Sequence, residues 1–302
     1  MRTSLRFPLL LAALITGSAA ALLPWQAARA ADNSLFHQTW IDGSQPSEPQ
    51  IQVQQLDSDT YVLRQSIRTN PEGPFMFLFF GKQRVLQIDT GAGGLKIRPS
   101  IDAIISRWLN DHRLPSIELV IAHSHAHGDH IAGDREFAGR PHTSIVGHRP
   151  EQVAAFFKMN SWPADIEPFD LGGRVVDIIP TPGHEPSEIS FFDRRTHLLL
   201  MGDELYPGRL YVPLEEFKTY KASIARVVEF TRDRDVSWIL GNHIEMNQTP
   251  GRDYGIHAPS HPAEHKLELP YARLAELNTA LEKMGDWPRL DIHDDFIFYP
   301  LP

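Results

Sequence analysis

Four histidines and an aspartate fall within eight residues, His123-Ser124-His125-Ala126-His127-Gly128-Asp129-His130, and no other stretch limits the fold as strongly. The five residues before it, Glu118-Leu119-Val120-Ile121-Ala122, are mostly apolar and read as a buried strand. After it, Ile131-Ala132-Gly133 reads as the first turn of a packed helix. The cluster therefore sits where a strand ends and a helix begins. Alternate side chains of an extended segment share a face, so His125 and His127 aim at one point, and Asp129 and His130 follow as the chain turns. Imidazole and carboxylate are the groups that zinc and similar divalent ions take as ligands, at about 2.0–2.2 Å. Crowded together without an ion, they would be poorly satisfied.

The chain has 302 residues, room for one large domain or two small ones, and its 42% hydrophobic content supplies a sizeable core. Residues 1–30 have the make-up of a secretory signal peptide: Arg2 and Arg6, then an apolar run over 7–23, then Ala28-Arg29-Ala30 as a cleavage site. That predicts export to a periplasm or the medium, with no stable membrane anchor after cleavage. Cysteine is absent, so thiolate ligands and disulfides are excluded. Residues 1–30 contain three arginines and no acid, so the formal charge of −9 becomes −12 once they are removed. A surface this acidic disfavours a nucleic-acid partner, whose phosphates need basic side chains. The expected partner is a small-molecule substrate, and oligomeric state is left open.

Residues 31–50 are polar and read as a surface arm, and residues 51–302 as one domain. Strands are predicted at 51–54, 60–63, 75–80 and 84–88, the last ending at Asp89-Thr90-Gly91. A helix follows over 101–109, capped by Ser100. Beyond the histidine cluster come a strand at 143–148, a helix at 151–158 and a strand at 175–180 leading into Thr181-Pro182-Gly183-His184. A hairpin at 188–192 and 197–201 ends at Gly202-Asp203. A long helix over 214–231, a strand at 237–240 ending at Gly241-Asn242-His243, a Pro- and His-rich excursion at 246–268, a helix at 270–284 opened by its proline and a last strand at 292–299 complete the chain. Antiparallel hairpins giving way to alternating strands and helices indicate an α/β fold with mixed sheets. Five strand ends carry ligand-type residues, and in layered α/β folds sites gather beyond such ends.

Taken in order, Asp89-Thr90-Gly91, His125-x-His127-x-Asp129-His130, Pro182-Gly183-His184, Gly202-Asp203 and Gly241-Asn242-His243 resemble the motif series of the metallo-β-lactamase superfamily. The resemblance covers about residues 75–245 and implies an αββα four-layer sandwich with a two-metal site. It implies that His125, His127 and His184 hold one ion, that Asp129, His130 and His243 hold the second, and that Asp203 bridges them, with Asp89 behind, orienting the ligand loop. Zinc is the first expectation for both ions, with iron or manganese as alternatives. Two such ions would share a hydroxide that attacks an acyl or phosphoryl centre. The expected function is therefore an exported dinuclear-metal hydrolase of a small ester, lactone or related acyl substrate.

Two departures from the family pattern stand out. The late motif is Gly-Asn-His rather than Gly-His, which leaves His257, His261 or His265 open as substitutes for the last ligand. The absence of cysteine removes the β-lactamases that use a Cys ligand, and Asp203 points away from the Cys-free type toward the glyoxalase II and lactonase side. Tyr206, three residues after Asp203, matches a tyrosine of lactone-hydrolysing relatives and is expected to donate to the developing oxyanion; Asp129 and Tyr206 are the expected catalytic residues. Alternatives are a Cys-free metallo-β-lactamase, a mononuclear-iron persulfide dioxygenase and a metal-binding protein without turnover. Glutathione-binding features are not evident after Asp203. Of the other histidines, His123 reads as a buried neighbour of the ligands and His148 as structural or pocket-lining. His37, His112, His142, His197 and His293 read as surface residues.

Overall fold

Six apolar residues in a row, Phe75–Phe80, send alternate side chains into two different cores, and the whole architecture follows from that division. A computed structural model describes residue 1 and residues 34–302, and the account below concerns the unit Leu35–Pro302. The expected signal peptide lies outside the described residues.

The first sheet has strand order β1 (Ile51–Asp57), β2 (Thr60–Gln65), β3 (Phe75–Phe80), β4 (Arg84–Ile88), β5 (Glu118–Ala122) and β6 (Thr143–Ile145). Strands β1 to β4 pair antiparallel, whereas β4, β5 and β6 run parallel. The helix α1 (Arg98–His112) makes the crossover from β4 to β5, and two single-turn helices, α2 (Gly128–Ile131) and α3 (Asp134–Phe137), lie between β5 and β6. After α4 (Pro150–Phe157) come β7 (Glu167–Asp170), β8 (Val175–Pro180), β9 (Ile189–Asp193) and β10 (Leu198–Leu200). These join β12 (Trp238–Leu240) and β13 (Glu268–Leu269) in a second mixed sheet, ordered β13-β12-β10-β9-β8-β7. A small third sheet pairs β11 (Arg209–Pro213) with β15 (Ile297–Leu301) and β14 (Asp291–Ile292). Two long helices complete the set, α5 (Phe217–Thr231) and α6 (Ala272–Met284).

Between the two large sheets, Phe75, Phe77, Phe79, Leu86 and Val120 face Val176, Ile178, Phe191, Leu198 and Leu240. On the outer face of the first sheet, Met76, Leu78, Phe80, Leu119 and Ile121 pack under Ile101, Ile105 and Trp108 of α1. On the outer face of the second, Ile179, Phe192, Leu199 and Ile239 pack under Tyr220, Ile224 and Val227 of α5 and Leu274, Leu277 and Leu281 of α6. Helix, sheet, sheet, helix is the αββα sandwich. Each buried large apolar side chain contributes roughly 1.5–3 kcal/mol, so three separate cores hold the layers together. A buried arginine also ties the sheets: Arg174 pairs with Asp193 at 2.8 Å and donates to the Asp59 carbonyl at 2.6 Å and to Thr60 Oγ1 at 2.9 Å.

Several local expectations change. The stretch read as a surface arm carries no strand or helix over its described part but is anchored: the Trp40 ring meets Phe36 and Phe75 edge to face, each at 4.9 Å. Apolar rings spaced four apart in an otherwise polar run reach back to the core. The long helix opens with a 3-10 turn, Leu214–Glu216, before α5. Pro270 precedes α6 rather than opening it. The strands β7, β11 and β13 are absent from the sequence reading, because their short Pro- or charge-containing segments pair through the backbone and lack an apolar pattern.

Candidate metal centre

Asp89 follows β4 with φ 66°, and its fully buried carboxylate gathers three segments. It accepts from the Ser124 N–H at 2.7 Å, from Ser124 Oγ at 2.8 Å and from His130 Nδ1 at 2.9 Å. The amide of Asn242 donates to it as well. Those bonds fix the loop after β5 against the loop after β12. His127 is extended and immediately precedes α2, so His125 and His127 share a face while Asp129 and His130 lie in the helical turn.

The ligand atoms fall into two groups. His127 Nδ1 lies 3.0 Å from His125 Nε2 and 3.0 Å from His184 Nε2. His130 Nε2 lies 3.2 Å from His243 Nε2, and Asp129 Oδ2 lies 3.2 Å and 3.4 Å from those two nitrogens. Asp203 sits between the groups. Its carboxylate is 3.4 Å from His243 Nε2, 3.7 Å from both His130 Nε2 and His184 Nε2, and 3.9 Å from His125 Nε2.

The far ring nitrogens explain why these faces converge. His184 Nδ1 is 2.6 Å from the Tyr211 carbonyl, and His243 Nδ1 is 2.9 Å from the Glu72 carbonyl. A carbonyl only accepts, so Nδ1 carries the proton and the Nε2 lone pair faces the centre. The main-chain N–H groups of Asp203 and His184 donate to two buried carboxyls, Glu188 at 3.0 Å and Glu204 at 3.2 Å. Burial pushes Glu204 up to about 8, and burial together with the neighbouring Glu204 charge pushes Glu188 well above the carboxylate range, so both carboxyls favour the protonated form.

Charge fits the donor geometry. Burial and then the charges of the neighbouring histidines hold His125 far below the imidazole range, leaving it a neutral donor. Burial opposes charge on His243, but Asp203 and Asp129 carry it up to about 10. His130 rises likewise, against burial, under Asp129, Asp203 and Asp89. Three carboxylates around one point demand positive charge, which protons supply in the bare protein and divalent ions supply when bound. The buried Asp203 Oδ1 has no hydrogen-bond partner, as a ligand oxygen would not. The residues present therefore suit two divalent ions. The centre opens on one side, where His127 is exposed and Asp129 half-buried.

All seven expected ligands come together here. Asn242, the extra residue of the late motif, donates to the Phe75 carbonyl at 3.0 Å and to Asp89, and its own carbonyl accepts the Phe75 N–H at 2.8 Å. That clamp delivers His243 to the second group. His261 and His265 instead pair with Glu264 and Asp295, each at 3.0 Å. The structure gives Tyr206 a task other than oxyanion donation: its hydroxyl donates to the Arg209 carbonyl, with Glu245 Oε2 at 3.2 Å, and its ring meets His243 edge to face at 5.6 Å. His293, expected at the surface, bonds Glu276 at 2.7 Å beneath α6. Sequence reasoning missed Glu188, Glu204 and Asp134. Glu188, an acid opening an otherwise apolar run, was the available signal for the first.

The sequence profile of the Metallo-beta-lactamase superfamily matches residues 70–243. Among curated proteins, the chain is 29% identical over 157 residues to the lactamase-like protein vrtG of Penicillium aethiopicum, covering 51% of this chain and 47% of that one. It is 30% identical over 118 residues to a hydroxyacylglutathione hydrolase of Rhizobium meliloti, covering 38% of this chain and 43% of that one. It is 24% identical over 206 residues to the acyl-coenzyme A thioesterase MBLAC2 of Gallus gallus, covering 57% and 72%. The chain thus spans about half the length of the first curated relatives it matches. Among solved structures, TMB-1 superposes with a TM-score of 0.50 at 13% identity, over 78% of this chain and 99% of that one, a likeness of fold. The motif series, the sandwich and the profile match agree: this chain belongs to the metallo-beta-lactamase superfamily.

Proposed function

We propose that the protein is an exported hydrolase of a small acyl substrate, an ester, thioester or lactone, working with two divalent ions, zinc foremost. The observation that carries the reading is the Asp203 carboxylate within 3.4–3.9 Å of ligand nitrogens from both groups. A shared carboxylate suits two ions side by side. Such ions polarise a carbonyl and supply a nucleophile at neutral pH. Hydrolysis of thioesters is what the names of two relatives state of those proteins, and it supports the acyl class.

The chain's own residues divide the work. His125, His127 and His184 would hold one ion, and Asp129, His130 and His243 the other. Asp129 stands at the open side, where its carboxylate would meet and orient an incoming water. Asp89 and Ser124 keep the ligand loop from moving, and Glu188 and Glu204 hold the backbone of Asp203 and His184. A cavity of about 60 Å³, lined by Glu72, Tyr211, Ile256 and His257 among others, lies next to the residues whose carbonyls hold His184 and His243. The signal-peptide composition of residues 1–30 supports export; a mature protein beginning at Ala31, read by mass spectrometry of the cell envelope or medium, tests it.

The deciding experiment loads protein from Ala31 onward with zinc and compares kcat/KM for an acyl thioester, an acyl lactone and a chromogenic cephalosporin. Preference for either acyl substrate is the expected result. Preference for the cephalosporin overturns the proposal.

A further inference from the structure

A third set of ligand-type side chains lies beside the centre and forms no part of it. His123 at the edge of β5, Asp134 at the start of α3 and His148 beyond β6 offer two imidazole nitrogens and a carboxylate within 4.8 Å of one another. Each group of the metal centre meets the same limit. His123 Nε2 lies 2.8 Å from Asp134 Oδ1, and His148 Nε2 lies 2.8 Å from Asp134 Oδ2. The two rings meet edge to face, centroids 4.8 Å apart. Each imidazole thus addresses its own oxygen of one carboxylate, and three separate chain segments converge on it.

Further details show how the set is held and reached. His123 is buried and its Nδ1 has no hydrogen-bond partner, so all the polar work of that ring falls on the Nε2 aimed at Asp134. Burying an imbalanced imidazole is costly unless the one engaged nitrogen is strongly held. Thr90 Oγ1 donates to Asp134 Oδ1 at 2.9 Å, the kind of outer bond that orients a ligating carboxylate. The His148 side chain is 37% exposed, which gives an ion a way in from solvent.

We infer that His123, Asp134 and His148 form a separate site for a single first-row divalent cation, zinc or iron(II) by donor type. Two imidazoles and one carboxylate are a three-ligand set that leaves positions for water. On binding, each Nε2 gives up its proton to Nδ1 or to solvent and turns its lone pair to the ion. The site is mechanically joined to the main centre, because the Thr90 N–H donates to the His130 carbonyl at 2.8 Å while its hydroxyl holds Asp134. A cation on Asp134 braces the turn that presents His130. The inference does not depend on the substrate class.

The test compares protein from Ala31 onward with its His148→Ala and His148→Asn variants. All are stripped of metal and brought to equilibrium dialysis against Co²⁺, and bound cobalt is counted by mass spectrometry. The expected result is one equivalent fewer in both variants than in the parent. Because the triad is joined to His130, the crystal map described next shows which site has lost the equivalent. Equal cobalt in all three proteins overturns the inference and makes the triad a hydrogen-bonded latch between α3 and the loop after β6. Anomalous scattering at the zinc edge from parent crystals gives the answer without a variant: a peak among the three side chains supports it, and its absence when the main centre is filled overturns it.

Discussion

Asp203 and Tyr206 stand three residues apart and have opposite consequences. Asp203 reaches toward both ligand groups, so Asp203→Asn removes the charge that would let two ions sit together. Loss of outer-sphere partners alone costs about 10–100-fold in metal affinity or activity, and this variant is expected to lose at least about 100-fold in kcat/KM and to bind fewer ions by metal analysis; full activity with two ions bound would contradict the bridging placement. Tyr206 spends its proton on the Arg209 carbonyl. Tyr206→Phe is expected to lower unfolding stability by about 1 kcal/mol and to leave turnover within a few-fold, and a collapse of kcat with stability intact would restore the oxyanion role. Glu204 adds a pH effect in the metal-free protein. Its carboxyl rises from an ordinary 4.5 to about 8 in the fold. Between those values the folded chain keeps a proton that the unfolded chain has released, so stability falls as pH rises. Melting temperature of the stripped protein should therefore decline from about pH 5 to 8, and Glu204→Gln should flatten that decline; an unchanged slope would clear Glu204 of the effect.

At the scale of elements, glycine positions show how tightly loops are set against helices. A Cβ on Gly183 would lie 2.5 Å from the Tyr220 Cα of α5. Because the clash is with backbone, α5 or the Pro182-Gly183-His184 turn must shift, and His184 moves with it. Gly183→Ala is expected to destabilise by roughly 1–3 kcal/mol and to weaken metal binding at the His125 group. Thermal melts with and without zinc would show it, and a variant that melts and loads like the parent would refute the close approach. The same scale shows what the sequence reveals and what it hides. Strands β3, β4, β5 and β8 coincide with apolar runs, because buried strands need apolar side chains on both faces. The ligands are legible because metal chemistry admits few side chains. β11 is hidden because Arg209 and Pro213 break its pattern, and its pairing with β15 joins residues far apart in the chain. Asp134 is hidden for a related reason: an acid at the start of a short helix is ordinary in sequence, and only the fold sets His123 and His148 on its two oxygens.

For the molecule as a whole, the two sheets contribute different ligands. His125, His127, Asp129 and His130 follow β5 of the first sheet, and His184, Asp203 and His243 follow β8, β10 and β12 of the second. Ions that bind only the folded state stabilise it by mass action, and here they would also cross-link the layers. Stripping with a chelator should lower the melting temperature by several degrees and abolish hydrolysis, with zinc restoring both. A melting temperature indifferent to the chelator would argue against ions between the sheets.

That division of ligands also sets an order of events during synthesis. Neither group is complete within the first sheet: one waits for His184, and the other waits for His243, more than a hundred residues after His130. At this centre, a growing chain can offer a passing ion only an unfinished, weakly holding half-site. The centre between the sheets would thus take its metals last, in whatever compartment the finished chain folds, and the metals available there would decide which ones it keeps.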